Sequence, residues 1–379
     1  MPRLYFLYLC IFLLLQCIIT GGCTHLQMSG VLPSGASVSE IGNCDANAPF
    51  DLDMKGENIV YADSGLKIRN LGSGRSRMIC PDTPSALAWS PDGSRIAAAF
   101  SRENEGTLRL YGFEGELQAE VKVPGNISSL AWRSRTDVLA MNIRVRQFSF
   151  GANLVEALLQ WDGVSEPKRL IFFDNTLKPS TVKQGKDYLI RRLTFKLSPL
   201  GDEVLFVNVL DPPLFPTYFR VFLHNIDSGK AREIAKVSLD SGGGAFLGAG
   251  ESILFGDGEN RSLISDPWKD IMLRAIPTPG REVAVSSGGR YIMLDGNLYF
   301  EGTRTASFQE SCRSNFSAFG GHMAVECGDR LYIVSGLKED FSVKLQPKEI
   351  ARIKELRKLL SDGLITSQDY RRSLEKTAQ

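Results

Sequence analysis

One recurring unit constrains this chain more than any other feature: two apolar stretches folded around a tight turn. Its clearest copy is Leu87-Ala88-Trp89-Ser90-Pro91-Asp92-Gly93-Ser94-Arg95-Ile96-Ala97-Ala98-Ala99-Phe100. Pro91 pre-sets φ for a turn, and Asp92 and Gly93 tolerate the remaining angles. Thr107-Leu108-Arg109-Leu110-Tyr111 and Ala119-Glu120-Val121-Lys122-Val123 follow, alternating as half-exposed outer strands do. Together these stretches make a four-stranded meander.

The plan returns from Leu130-Ala131-Trp132 to Val138-Leu139-Ala140-Met141, and from Leu193-Thr194-Phe195 to Val204-Leu205-Phe206-Val207. Weaker copies begin at Ala245-Phe246, Val283-Ala284-Val285 and Phe316-Ser317-Ala318-Phe319, and a degenerate first copy runs from Phe50 to Met78. Anchored on Phe50, Trp89, Trp132, Phe195, Phe246, Val285 and Phe319, the unit recurs every ~40–45 residues. A lone four-stranded sheet leaves both faces uncovered, and closing a ring of sheets buries them against one another. The expected fold class is therefore all-β. It is a β-propeller of about seven four-stranded blades, with six or eight also compatible, over residues 46–345. A C-terminal α-helical hairpin follows over residues 346–379. The 36 glycines agree with many turns, and 43% hydrophobic residues supply a core.

Trp89-Ser90-Pro91-Asp92-Gly93-Ser94-Arg95-Ile96-Ala97 resembles the WSPDGKxIAF motif of TolB-like and related WD-type propellers. Asp227-Ser228-Gly229-Lys230 sits where such repeats place a D-x-G turn before the outermost strand. In other copies Arg133-Ser134-Arg135, Leu200-Gly201-Asp202 and Ser287-Gly288-Gly289 replace Pro-Asp-Gly. The resemblance covers residues 46–345 as architecture and implies no particular partner.

The N-terminus reads as a processed segment. Arg3 is a minimal basic region, and Leu4 to Ile19 is apolar except for Gln16, which is short for a membrane span. Residues 1–22 are read as a signal peptide. Thr20-Gly21-Gly22-Cys23 resembles a bacterial lipobox, although that pattern prefers Leu where Thr20 stands. The resemblance implies acylation of Cys23 and a membrane partner through lipid, each buried methylene contributing ~0.8 kcal/mol. Thr24 stands where an inner-membrane retention Asp would sit, which implies a periplasm-facing lipoprotein of the outer membrane. A plain secreted protein and an uncleaved anchor are the alternatives. Residues 23–45, rich in small polar side chains, are read as a flexible lipidated tether.

Of seven cysteines, Cys10 and Cys17 leave with the signal and Cys23 takes lipid. Cys44, Cys80, Cys312 and Cys327 remain, an even set that allows two disulfides in an oxidising compartment. The paired spacing of a zinc site is absent. Cys312 and Cys327 flank one hairpin and would pin the last blade. Cys44 and Cys80 bracket the first blade and would pin the other side of the ring seam.

No chemistry announces itself. The three histidines, His25, His224 and His322, are scattered, and no HExxH, GxSxG, GxxxxGK[ST] or CxxC is present. Asp51-Leu52-Asp53-Met54-Lys55-Gly56 mimics the start of a calcium loop, but Lys55 occupies a ligand position and Ala62 replaces the bidentate Glu. No metal, no cofactor and no catalytic residue is expected. A net charge of +1 gives nucleic acid no electrostatic footing. Long connections at 175–190 and 211–219 read as loops, where propeller binding sites reside. The second carries Phe215, Tyr218 and Phe219 among prolines. These side chains either pack on their own blade or meet a partner.

Pro347 suits the first turn of a helix, and Ile350, Ile353, Leu356 and Leu360 form an apolar stripe along it. Gly363 is a natural stop, and Thr366 with Asp369 forms a capping-box-like pair for a second helix carrying Tyr370 and Leu374. Over residues 347–377 this hairpin, with Leu364 and Ile365 at its turn, resembles the SHOCT-like short C-terminal domain. That family is thought to mediate oligomerisation or protein contact. The stripe needs a cover: a second copy, the propeller or a third protein. The function expected is a non-enzymatic binding or scaffold protein of the bacterial envelope. The alternative is a propeller enzyme, a hydrolase or lyase acting on envelope sugars or peptides.

Overall fold

The computed structural model describes residues 26–102, 104–148, 151–177, 194–210, 219–237, 243–247, 250, 252–256, 261–278, 282–309, 312–317, 320–338 and 347–375. Seven antiparallel sheets follow one another around an axis. From innermost to outermost strand, blade 1 runs from Phe50–Leu52 to Ser76–Cys80, blade 2 from Ala86–Trp89 to Leu117–Pro124, and blade 3 from Asn126–Trp132 to Lys168–Leu177. Blade 4 runs from Thr194–Leu197 to Lys230–Val237, blade 5 from Gly244–Leu247 to Ile271–Ile276, and blade 6 from Val283–Val285 to Thr303–Ser307. Blade 7 takes Arg313–Phe316, His322–Cys327 and Arg330–Ser335 from the end of the ring. Each innermost strand packs beside the next, and Arg313–Phe316 packs beside Phe50–Leu52, so the ring closes.

The core is divided into seven wedges, one at each interface between blades. In the second strand of blade 2, Ile96, Ala98 and Phe100 face blade 1, while Ala97 and Ala99 face blade 3. Successive side chains point to opposite faces of a strand, and here both faces are covered. That is why these strands read as unbroken apolar runs.

A four-residue turn after the innermost strand recurs more faithfully than the Pro-Asp-Gly motif. Gly93 N donates to Ser90 O, Gly201 N to Ser198 O, Gly289 N to Ser286 O, and Gly320 N to Ser317 O. The serine hydroxyl then accepts from the backbone N–H five residues on, at Arg95, Glu203, Tyr291 and His322 respectively. Blade 1 substitutes Asp53 for the serine. All four glycines hold φ between 70° and 75°, a region that penalises a Cβ. The repeat is thus Ser-x-x-Gly, of which Ser-Pro-Asp-Gly is one spelling.

The outermost strand of blade 7 comes from the other end of the chain. Ser37–Asn43 pairs antiparallel with Arg330–Ser335, Val38 opposite Val334 and Glu40 opposite Tyr332. Just before it, Ser29–Gly30 adds a fifth strand to blade 6, with Gly30 so close to Thr305 O that a Cβ could not enter. Residues 29–43 are therefore not the flexible tether that their small polar side chains imply. Their backbone groups are taken up by sheet edges, which needs no apolar signal beyond Val38 and the buried Ile41.

The disulfide expected at the last hairpin is present between Cys312 and Cys327, with Cα atoms 4.4 Å apart. The second is not formed. Cys44 and Cys80 are buried free thiols in different wedges, Cys44 between blades 7 and 1 and Cys80 between blades 1 and 2. Burial pushes the Cys44 thiol up to about 12, so it packs as a small apolar group. Replacing Cys312 and Cys327 by serine is expected to lower the unfolding free energy by ~3 kcal/mol, the chain-entropy value for a loop of this length. Urea unfolding of the variant against the parent, with and without reductant, measures it. A reductant-insensitive parent midpoint would contradict the expectation.

Helix α1 spans Pro347–Ser361 and helix α2 spans Ser367–Glu375. Leu364 N bonds Leu359 O and Gly363 N bonds Leu360 O, the Schellman pattern, with Gly363 at φ 73°. Asp369 N donates to Thr366 Oγ1 while Thr366 N donates to Asp369 Oδ2, a reciprocal capping box. The hairpin caps the wedge between blades 4 and 5, where Leu356 and Tyr370 are buried and Leu360, Ile365 and Leu374 are half-buried. Ser361 meets Ser228 at 2.8 Å, and Arg371 Nη2 donates to Lys269 O at 2.7 Å.

Arg357 forms the centre of this contact and is 2% exposed. Its guanidinium lies 4.0 Å over the Trp268 ring and within 3.5 Å of Asp202 Oδ1 and 3.7 Å of Glu203 Oε2. It also donates to Gly250 O, in the turn of blade 5. Trp268 Nε1 donates to Glu203 Oε2 at 2.9 Å. Burial pushes the Glu203 carboxyl up to about 7 against the pull of Arg357.

Candidate functional site

The innermost strands wall a central channel of about 680 Å³. Most of its wall is backbone, serine and apolar side chain, because the ring is tight there and bulky residues face the wedges instead. Among the described residues, four charged side chains interrupt it: Asp51 of blade 1, Lys196 of blade 4, Glu282 at the head of blade 6 and Arg313 of blade 7.

Asp51 ties three blades together. Its Oδ1 accepts from Asn315 Nδ2 at 2.5 Å and Leu52 N at 2.9 Å, and its Oδ2 accepts from Trp89 N at 2.7 Å. Enclosure raises its carboxyl to about 6, opposed by the two backbone N–H donors. Arg313 closes the seam between the last and first blades. It bonds Glu326 Oε2 at 2.6 Å and Ala48 O at 2.6 Å, while Glu326 Oε1 accepts from Asn47 N. Residues Arg313 and Glu326 are cross-strand partners, next to the disulfide.

Lys196 and Glu282 project into the channel, open to its water yet surrounded by the ring. Enclosure lowers the Lys196 ammonium, with Glu282 and Asp51 opposing, and raises the Glu282 carboxyl, with Arg313 and Lys196 opposing. Both groups are thus held in a field that water only partly screens. Trp89 Nε1, Ser128 Oγ and Ser129 Oγ are buried behind the channel wall without a protein hydrogen-bond partner. The arrangement offers both signs of charge to a polar segment entering the mouth. His224 and His322 lie in blades 4 and 7 and neither lines the channel. Among the described residues, no three His, Cys, Asp or Glu side chains gather as potential metal ligands.

Residues singled out in the sequence fall elsewhere. Phe215, Tyr218 and the 178–193 stretch lie outside the described residues, and Phe219 opens the third strand of blade 4. Trp89 and Trp132 are buried between blades, and Trp132 Nε1 donates to Ala88 O at 3.0 Å. Of the hairpin residues read as partner-binding, Leu356, Leu360, Ile365 and Tyr370 are already covered by blades 4 and 5. Ile353 is half-buried, and only Leu364, 70% exposed, is free of cover. The stripe found its cover within its own chain because the Trp268 wedge supplies both apolar surface and carboxylates for Arg357. Cys23 lies outside the described residues. The four channel charges were missed, although two carry a local signal. Phe50-Asp51-Leu52 and Phe195-Lys196-Leu197 each set a charge between apolar residues of an innermost strand.

No protein-family model matches the chain, and no curated protein matches it in sequence. Among solved structures, the β-propeller domain of Myceliophteria thermophila Cps50 (Swd1) superposes with a TM-score of 0.52 at 14% identity. The match covers 79% of this chain and 99% of that domain. At such identity the likeness speaks to fold alone. The chain is a seven-bladed β-propeller of four-stranded antiparallel blades carrying two short C-terminal helices.

Proposed function

We propose that this chain is a non-enzymatic scaffold of the bacterial envelope, held at the outer membrane by an acylated Cys23 and receiving a protein partner at the mouth of its channel. The observation that carries the reading is the channel itself. A closed ring presents Lys196 and Glu282 from paired strands at its centre, so the backbone that carries them needs no ordering on contact, which is a condition for economical recognition. The lipobox-like Thr20-Gly21-Gly22-Cys23 supports the anchor. The hairpin, now spent on blades 4 and 5, contributes to assembly through its outward residues, Leu364 foremost.

Lys196→Glu reverses one channel charge without touching the seam. In-cell photo-crosslinking from position 129 is expected to trap a defined polypeptide with the parent chain. With the Lys196→Glu variant the yield should fall at least ~10-fold, the equivalent of one lost charge pair of ~1.4 kcal/mol. An unchanged crosslink at an unchanged melting temperature would remove the channel from the function.

A further inference from the structure

We infer that the rim where blades 6 and 7 meet lies directly against the phospholipid surface, with Met28 and Val31 as its apolar contact. The inference rests on the proposed acylation of Cys23. The tether implied by the sequence is taken up as strands, and Leu26 already packs in the wedge between blades 6 and 7. Tyr332 of blade 7 also bonds the Leu26 backbone. Only Thr24 and His25 separate Leu26 from Cys23, three residue steps or ~10 Å at full extension. An acylated Cys23 sits at the headgroup level, so the propeller has no room to stand off.

Topology fixes which part faces the bilayer. In each four-stranded meander the first and third turns share one face, and the helical hairpin docks there through Gly250, Ser228 and Lys269. Ser29 pairs with Ser307, the last residue of its strand, so the chain arrives from the opposite face. The hairpin therefore points away from the membrane. At the rim, Val31 is 79% exposed and Met28 38% exposed, two of the few large apolar side chains left uncovered. Val31 N is held by Thr305 O, and the neighbouring Arg304 is exposed, placing one cation beside them for anionic headgroups. Among the described residues no helix is long and apolar enough to cross a membrane.

The test uses the full chain, exported by a bacterial host and reconstituted in vesicles of phosphatidylethanolamine and phosphatidylglycerol. A fluorophore is placed at Val31→Cys or at Val164→Cys, the latter a 92% exposed position on blade 3, across the ring. Brominated lipid is expected to quench the probe at 31 severalfold more than the probe at 164. Equal quenching at both sites, with the mass of the N-terminal peptide showing acylation, would overturn the orientation and leave the anchor standing. An unmodified Cys23 in that mass spectrum would overturn the anchor reading, and the short leash with it.

Discussion

Removing the chain up to Asn43, so that it begins at Cys44, is expected to abolish cooperative unfolding. The strand Ser37–Asn43 makes a ladder with Arg330–Ser335 along its whole length, adds an ion pair from Glu40 to Arg330 at 2.7 Å, and buries Ile41. At ~1 kcal/mol per net backbone hydrogen bond and ~2 kcal/mol for the isoleucine, the loss is about 7 kcal/mol. That is comparable with the whole net stability of a typical domain, 5–15 kcal/mol being the usual span of order. Without the strand, the outer edge of blade 7 is bare and the ring has no latch. Near-ultraviolet dichroism and a thermal scan report the result. A variant that melts within about 2 °C of the parent, a shift worth ~1.5 kcal/mol in a chain of this size, would show that closure is carried elsewhere.

Arg357→Met is expected to release the C-terminal hairpin while leaving the ring folded. The substitution keeps most of the side-chain volume but strands Asp202 and Glu203, both under 4% exposed, without their cation. Removing one partner of a buried pair costs ~3–5 kcal/mol, more than a short hairpin recovers from its own helix formation. Amide hydrogen exchange over residues 347–375 should rise by two or more orders of magnitude, on the order of that energy at 1.4 kcal/mol per decade. Trp268 emission should shift to the red as the guanidinium leaves its face. Adding Asp202→Asn and Glu203→Gln to Arg357→Met removes the stranded charges and is expected to restore protection. Unaltered exchange in the single variant would mean that Leu356 and Tyr370 hold the hairpin without the ion pairs.

The sequence declares what is local and repeated. The strand–turn–strand unit around Ser90-Pro91-Asp92-Gly93 identified the blades, and the caps at Gly363 and Thr366 placed the helix ends, because each depends on residues within five positions of one another. What it conceals joins distant parts. The strand Ser37–Asn43 is mostly exposed and shows only two inward apolar side chains, so nothing local marks it as a blade edge. Arg357 sits beside the apolar stripe and reads as a solvent-facing cation. It is buried because two carboxylates from blade 4, remote in the chain, accept it. The channel charges come singly from blades 1, 4, 6 and 7, and only ring closure brings them into one field.

Blade 7 is built from both ends of the chain. Glu40 and Arg330 are 290 positions apart, so this closing pair is among the most non-local contacts of the chain, the kind whose loop-closure entropy slows folding. Until the two ends meet, Ser37–Asn43 and the edge of Arg330–Ser335 each present unpaired backbone groups that another sheet could take up.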